Sequence, residues 1–212
     1  MNAKVHFSYS TLNFLHTHSH CWINKMMGIK VPENESMRLG KLNQRIIQEH
    51  VSGFKKDPRI SYLTAEFSVV EKRDFDEDTK FTLNLFGYEI IGFFDGKSPE
   101  DKRSLEIKLS SSPWSMGKFK DSIQRKIYTL AEPNYTESTL ITGSLHPEEW
   151  EQNKLKFFVI KNTEKDKEDA LKWIKEGILI FENGDFNGGL DEEGRCTDPW
   201  CPWGNACHFK QI

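Results

Sequence analysis

Long apolar runs are missing from this chain of 212 residues. No stretch approaches the roughly 20 residues that carry a helix across a bilayer, so no membrane partner is expected. The opening MNAKVHFSYSTLNFLHTHSH has neither an unbroken apolar segment nor a small-residue cleavage site. It does not read as a secretory signal, and a cytoplasmic protein is the expectation. A basic excess is missing too: 29 Lys and Arg stand against 32 Asp and Glu, a formal net charge of -3. Nothing global therefore announces a nucleic-acid binder, and any such partner must be held by a local patch. Repeats and low-complexity tracts are absent. Cysteine is scarce, with four in all, yet three fall in the last seventeen residues. What remains, 37% hydrophobic and 29% charged, is enough to bury a core and excludes a wholly disordered chain.

Two helices are expected first, Ser10 to about Met27 and Met37 to Phe54. In the second, Leu39, Leu42, Ile46, Ile47, Val51 and Phe54 recur at helical spacing. The period then changes. TAEFSVVEK, KFTLNLFGYEIIGFFDG and SLEIKLS alternate or run apolar over short lengths, which predicts three or four strands of a meander. WSMGKFKDSIQRKIYTLA puts Phe119, Ile123, Ile127 and Leu130 on one stripe of a helix. The strands STLITGSL and KLKFFVIKN follow, then a helix carrying Leu171, Ile174, Ile178 and Phe181. This order predicts an α/β fold, a mixed sheet flanked by helices. Residues 183–212 are Gly, Asp and Cys rich without a periodic pattern, so something other than packing must order them.

The most suggestive chemistry lies in IIGFFDGK followed by SLEIKLS. Asp95 ends one apolar strand, and Glu106 and Lys108, two apart on the next, share a face. Neighbouring antiparallel strands would bring the two carboxylates together, which is costly unless a cation neutralises them. Magnesium takes one or two carboxylates, a carbonyl and several waters, a set available here, and Lys108 beside it could orient an attacking water. Four acid-x-Lys matches occur, where chance alone supplies about three, so the spacing by itself means little. Only Glu106-x-Lys108 lies in a strand with apolar residues on both sides, where inward charges are expensive in a merely structural element. The next helix adds Gln124 and Tyr128, an i, i+4 pair on one face.

Cys196, Cys201 and Cys207, with Cys21 in the first helix, give four thiols and no spare, the count of a tetrahedral zinc or a four-iron cluster. Close C-x-x-C pairs are absent, and His208 is an alternative zinc ligand. Linking Cys21 to Cys196 would close a loop of about 175 residues and remove on the order of 4–5 kcal/mol of unfolded-chain entropy.

Asp95, then Glu106-Ile107-Lys108, then Gln124-x-x-x-Tyr128 resembles the ordered motif set of the PD-(D/E)XK nuclease superfamily in its RecB-like branch. FSYSTLNFLHTHSHCWINKMMGIK is similar to that branch's N-terminal segment, and RLGKLNQ to its Gly-x-x-x-His helix. The resemblance spans nearly the whole chain and implies a single restriction-endonuclease-like domain over 1–212, its tail 183–212 stapled to the first helix. It implies magnesium or manganese on Asp95, Glu106 and the Ile107 carbonyl, with Lys108, Gln124 and Tyr128 completing the catalytic set. Where the branch carries a metal-binding histidine after the helix glycine, this chain has Gln44, whose amide oxygen could meet the ion. His50 and Glu49 are lesser substitutes. Cys21 and the C-terminal triplet would hold a [4Fe-4S] cluster, as in the CRISPR-associated fourth Cas protein and AddB-type recombination nucleases, though the triplet's first gap is longer here; zinc is the lesser alternative.

DNA contacts are expected from Lys118, Lys120, Arg125 and Lys126, from Lys55, Lys56 and Arg59, and from Trp114 stacking on a base. The leading expectation is a metal-dependent exonuclease preferring single-stranded DNA. The alternatives are a weakly active or non-catalytic DNA-binding module of a CRISPR adaptation or recombination complex, and a zinc-stapled domain unrelated to nucleases.

Overall fold

The computed structural model describes residues 5–65, 79–188, 190, 192 and 196. They fall into two compact units, one of Met1–Glu33, Thr82–Ile91 and Leu171–Ile212, the other of Asn34–Phe81 and Gly92–Ala170. Each holds helices and takes part in a mixed α/β fold with two sheets.

In the first unit, β1 (His6–Phe7) lies parallel to β3 (Tyr88–Phe93), with Phe7 opposite Ile90, and β3 is flanked on its other side by β2 (Lys80–Leu85). The two-residue connection from β2 to β3 takes positive φ at Phe86 (52°) and Gly87 (83°), the backbone of a tight hairpin turn. Ser8 caps α1 (Tyr9–Thr17) by accepting from the Thr11 amide at 3.2 Å. The expected helix over Ser10–Met27 is two: α1 stops where His18 leaves helical geometry (φ −146°, ψ 71°), and α2 (His20–Met26) begins after Ser19. The break lets α2 bury His20, Cys21, Trp22 and Asn24. Phe7 packs edge-on to Tyr88 and Phe181, at 5.3 and 5.2 Å between centroids.

The second unit carries the four-stranded sheet β4 (Gly96–Ser98), β5 (Arg103–Leu109), β6 (Glu137–Gly143) and β7 (Lys156–Lys161), in that order. Its β4/β5 and β6/β7 pairs are antiparallel and β5/β6 is parallel, so the sheet is mixed as expected. The meander expectation needs correcting: the chain breaks at Asp95, and strands β3 and β4 belong to different sheets. A parallel β5/β6 pair demands a crossover. It is supplied by α4 (Met116–Lys120) and α5 (Ile123–Ala131), where one helix was expected. Ser115 and Ser122 each cap a helix with their hydroxyls, and these two local caps divide the stretch. Most of TAEFSVVEK lies outside the described residues, and Thr64 and Ala65 end a 3-10 helix over Pro58–Ala65.

Asn34 caps α3 (Glu35–Val51), which buries Ile47 and Val51 against Ile60, Leu63, Leu105, Ile107, Ile141, Trp150 and Leu155. Leu42 and Phe54, expected on the same stripe, are exposed: α3 ends before Phe54, and Leu42 sits about 140° around the helix from Ile47. Gly92 is required by close approach, since a Cβ there would stand 2.3 Å from the Phe81 ring. The helix α6 (Glu164–Asn183) buries Ala170, Ile174 and Ile178. Among the described residues no helix is long and apolar enough to cross a membrane.

Candidate active site

The β4/β5 register pairs Gly96 with Leu105, so Asp95, one step earlier, falls opposite Glu106. Leu105 and Ile107 enter the core, which sends Glu106 and Lys108 to the other face. Asp95 is then tied down from three directions. Its Oδ2 accepts from the Ile107 amide at 2.7 Å, its Oδ1 from Gln44 Nε2 at 2.7 Å, and its carbonyl from Gln48 Nε2 at 2.6 Å. Lys108 forms an ion pair with Glu106 and donates to Gln124 Oε1 at 3.0 Å. Gln124 in turn donates to the Tyr128 hydroxyl at 2.8 Å, and that hydroxyl donates to the Phe93 carbonyl at 2.8 Å. Seven residues expected from the sequence, Gln44, Asp95, Glu106, Ile107, Lys108, Gln124 and Tyr128, thus belong to one network.

Electrostatics mark the centre of this network. Burial, then the Glu106 carboxylate, push the Asp95 carboxyl up to about 8. Burial and the two carboxylates also hold the Tyr128 phenol protonated, well above its usual range. Glu106 is 2% exposed, and the Lys108 ammonium is the cation beside its carboxylate. Two carboxylates set opposite each other beside one ammonium are costly, and a divalent cation would remove the cost. The site therefore fits a hard metal ion: two carboxylates, the Ile107 peptide at its edge, and Gln44. As placed, Gln44 turns its amide nitrogen to Asp95, and half a turn about its last torsion would present the oxygen instead. Among the described residues no three His, Cys, Asp or Glu side chains make a ready metal cluster, in keeping with the missing histidine. A cavity of about 240 Å³ lined by Lys41, Gln44, Gln48, Thr79, Phe93, Phe94 and Asp95 leaves room for an ion and its waters.

The raised Asp95 carboxyl predicts a pH dependence. In the metal-free protein Asp95 keeps its proton between about pH 4 and 8, where the unfolded chain has lost it. The folded state then binds the extra proton, so stability falls as pH rises through that window. Thermal melts of the metal-free chain should show this decline, and Asp95→Asn should flatten it.

His50 and Glu49 lie elsewhere. His50 is fully buried with its Nδ1 accepting from the Asp57 amide at 2.8 Å, and Glu49 pairs with Arg45. One expected DNA contact also needs correcting. Arg125 is 1% exposed, its guanidinium donating to Asp166, to Asn162 and, at 2.8 Å, to the Lys120 carbonyl. Burial raises the Asp166 carboxyl, yet Arg125 and Thr163 outweigh it and hold it below the usual carboxylate range. Lys126 is paired with Asp169 at 2.8 Å. Splitting the expected helix turned this face inward. Lys118 and Lys120 are exposed, and the Lys118 and Lys108 ammoniums lie 4.5 and 5.6 Å from the centre of the half-buried Trp114 ring. Arg59 is engaged by Asp57, while Lys55 and Lys56 are exposed. Sequence reasoning missed Gln48 and the Phe93 carbonyl. Gln48 was findable, being i+4 from Gln44 as Tyr128 is from Gln124.

Cys21 is buried in α2 and packs with Phe14, Ile29, Val31 and Cys196; neither cysteine is in a disulfide, and Cys196 forms a β-bridge with Leu190. Cys201, Cys207 and His208 lie outside the described residues.

No family model matches the sequence, and no curated protein does. The fold is similar to the crystal structure of SSO0001, with a TM-score of 0.52 and 14% identity over 85% of this chain and 78% of the other. It is also similar to a protein from Eubacterium rectale named provisionally as an exonuclease, with a TM-score of 0.51 and 15% identity over 85% of this chain and 82% of that one. At these identities the likeness establishes a shared fold, mixed α/β with helices flanking the sheets.

Proposed function

We propose that this chain is a metal-dependent DNA nuclease hydrolysing phosphodiester bonds, an exonuclease preferring single strands. The observation that carries the reading is the buried Glu106, paired with Lys108 and set opposite Asp95, itself at the edge of a cavity. The fold shared with a protein named as an exonuclease supports it. Asp95, Glu106, the Ile107 carbonyl and Gln44 would hold magnesium or manganese, which when bound supplies Lewis acidity and a more acidic water. Lys108, steered by Gln124 and Tyr128, orients the attacking water and offsets phosphate charge. Trp114 with Lys118 forms a stacking and phosphate-binding edge for a single strand, with Lys120 adding charge. The four cysteines act as a structural metal staple, for which the family resembled supplies a [4Fe-4S] cluster and zinc is the alternative. Partners in CRISPR adaptation or recombination are part of the same resemblance.

The missing histidine favours a second reading, a weakly active DNA-binding module. An end-labelled single strand incubated with manganese separates the two. Degradation that disappears in Glu106→Ala and in Lys108→Ala is the expected result, whereas binding without cleavage by the unaltered protein would favour the module.

A further inference from the structure

We infer that Gln48 is a positioning residue of the proposed metal site: it holds the main chain at Asp95 so that the Asp95 carboxylate stays opposite Glu106. The inference rests on the nuclease reading and adds to it a residue that lies outside the sequence motifs. Phe94 and Asp95 lie between β3 and β4 and belong to neither strand. Backbone groups there must find partners away from the strand ladders. The Phe93 carbonyl accepts from the Tyr128 hydroxyl at 2.8 Å, the Phe94 amide donates to the Thr79 carbonyl at 3.0 Å, and the Asp95 carbonyl accepts from Gln48 Nε2 at 2.6 Å. Phe94 itself is buried, its ring centre 4.5 Å from that of Tyr128 and 5.2 Å from that of Phe81. The segment is thus anchored by Tyr128 on its β3 side and by Gln48 on its β4 side.

An aspartate has only two side-chain torsions, so where its carboxylate stands follows where its backbone stands. A backbone displacement of about 1 Å is enough to spoil the geometry of a reacting site. Gln48 is built to resist one. Its helix α3 is fixed by Ile47 and Val51 in the core and by Asn43, whose Nδ2 donates to the Leu145 carbonyl at 2.6 Å. Gln44, one turn earlier on the same face, donates to Asp95 Oδ1 at 2.7 Å. The two amides hold different atoms, and this separates their roles. Turned to offer its oxygen to an ion, Gln44 gives up its bond to the Asp95 carboxylate. Gln48 bonds the main chain, so its hold on Asp95 is independent of what the carboxylate oxygens take.

The test uses the full chain carrying Gln48→Met, which keeps the length of the side chain and removes the donor. In the metal-free variant the Ile107 amide, which donates to Asp95 Oδ2 at 2.7 Å, should exchange with solvent about tenfold faster than in the unaltered protein, while Ile141 in β6 keeps its rate. Manganese affinity, titrated without substrate, should fall about tenfold, and kcat on a labelled single strand should fall with it while KM for the strand stays within about twofold, because Gln48 acts through Asp95. Exchange of the Gln48 side-chain amide protons in the unaltered protein needs no variant and decides the question if Gln48→Met fails to fold. Protected protons support the role, and protons that exchange as freely as those of an exposed glutamine overturn it. Uniformly faster backbone exchange with unchanged manganese affinity would mark a merely structural bond and overturn it too. Unaltered protein that takes up no manganese would bring down the nuclease reading and the role of Gln48 with it. Unaltered protein that binds and cuts, beside a Gln48→Met protein that does both equally well, would overturn the role of Gln48 alone.

Discussion

Glu106→Gln should slow manganese-dependent cleavage on the order of 10³-fold, the loss of about 4 kcal/mol of transition-state stabilisation, a plausible share for one metal ligand. The same change should leave the metal-free protein at least as stable as before. Glu106 is buried opposite Asp95, so exchanging charge for amide removes a desolvation penalty and relieves the neighbouring Asp95 carboxyl, which together offset the lost ion pair with Lys108. Lys108, 28% exposed at its side chain, keeps its bond to Gln124 and is not stranded by the change. Manganese should raise the melting temperature of the unaltered protein and not that of the variant, since an ion that binds only the folded state stabilises by mass action. Parallel melts with and without manganese check this. A purely structural role for Glu106 predicts the reverse, a destabilised variant and no difference in its response to metal.

Arg125→Met should destabilise the fold by roughly 3–5 kcal/mol, the cost of leaving a buried charge uncompensated. Asp166 would keep its bonds from Thr163, both at 2.9 Å, and lose the guanidinium. Asn162 and the Lys120 carbonyl would lose donors in the same step. Denaturant unfolding measures the loss, with the exposed Lys120→Ala, expected within about 0.5 kcal/mol of the unaltered protein, as control. Unchanged stability together with weakened strand binding would return Arg125 to the DNA surface.

The fate of Arg125 shows what the sequence could and could not carry. Periodicity identified the helical stripes that bury Ile47, Ile127, Ile174 and Ile178, because a 3.6-residue repeat is a local property. It also placed Glu106 and Lys108 on one face, since they alternate with the core residues Leu105 and Ile107 on one strand. Which face of a short helix looks inward depends on partners distant in sequence. Asp166 lies 41 residues beyond Arg125, and the serine caps at 115 and 122 reoriented the stretch that was read as one helix. The assignment of β3 and β4 to different sheets was hidden for the same reason: strand pairing is non-local, and a break at Asp95 reads like any turn. Gln48 went unnoticed because a lone polar residue on a helix resembles a solvated face until its partner, the Asp95 carbonyl, is known.

Diffraction from crystals soaked in manganese, recorded at a wavelength where manganese scatters anomalously, tests the central claim most directly. An anomalous peak at about 2.0–2.3 Å from carboxylate oxygens of both Asp95 and Glu106 is the predicted result. The contrary result is well-ordered carboxylates with no peak between them and Lys108 still paired to Glu106 at saturating manganese.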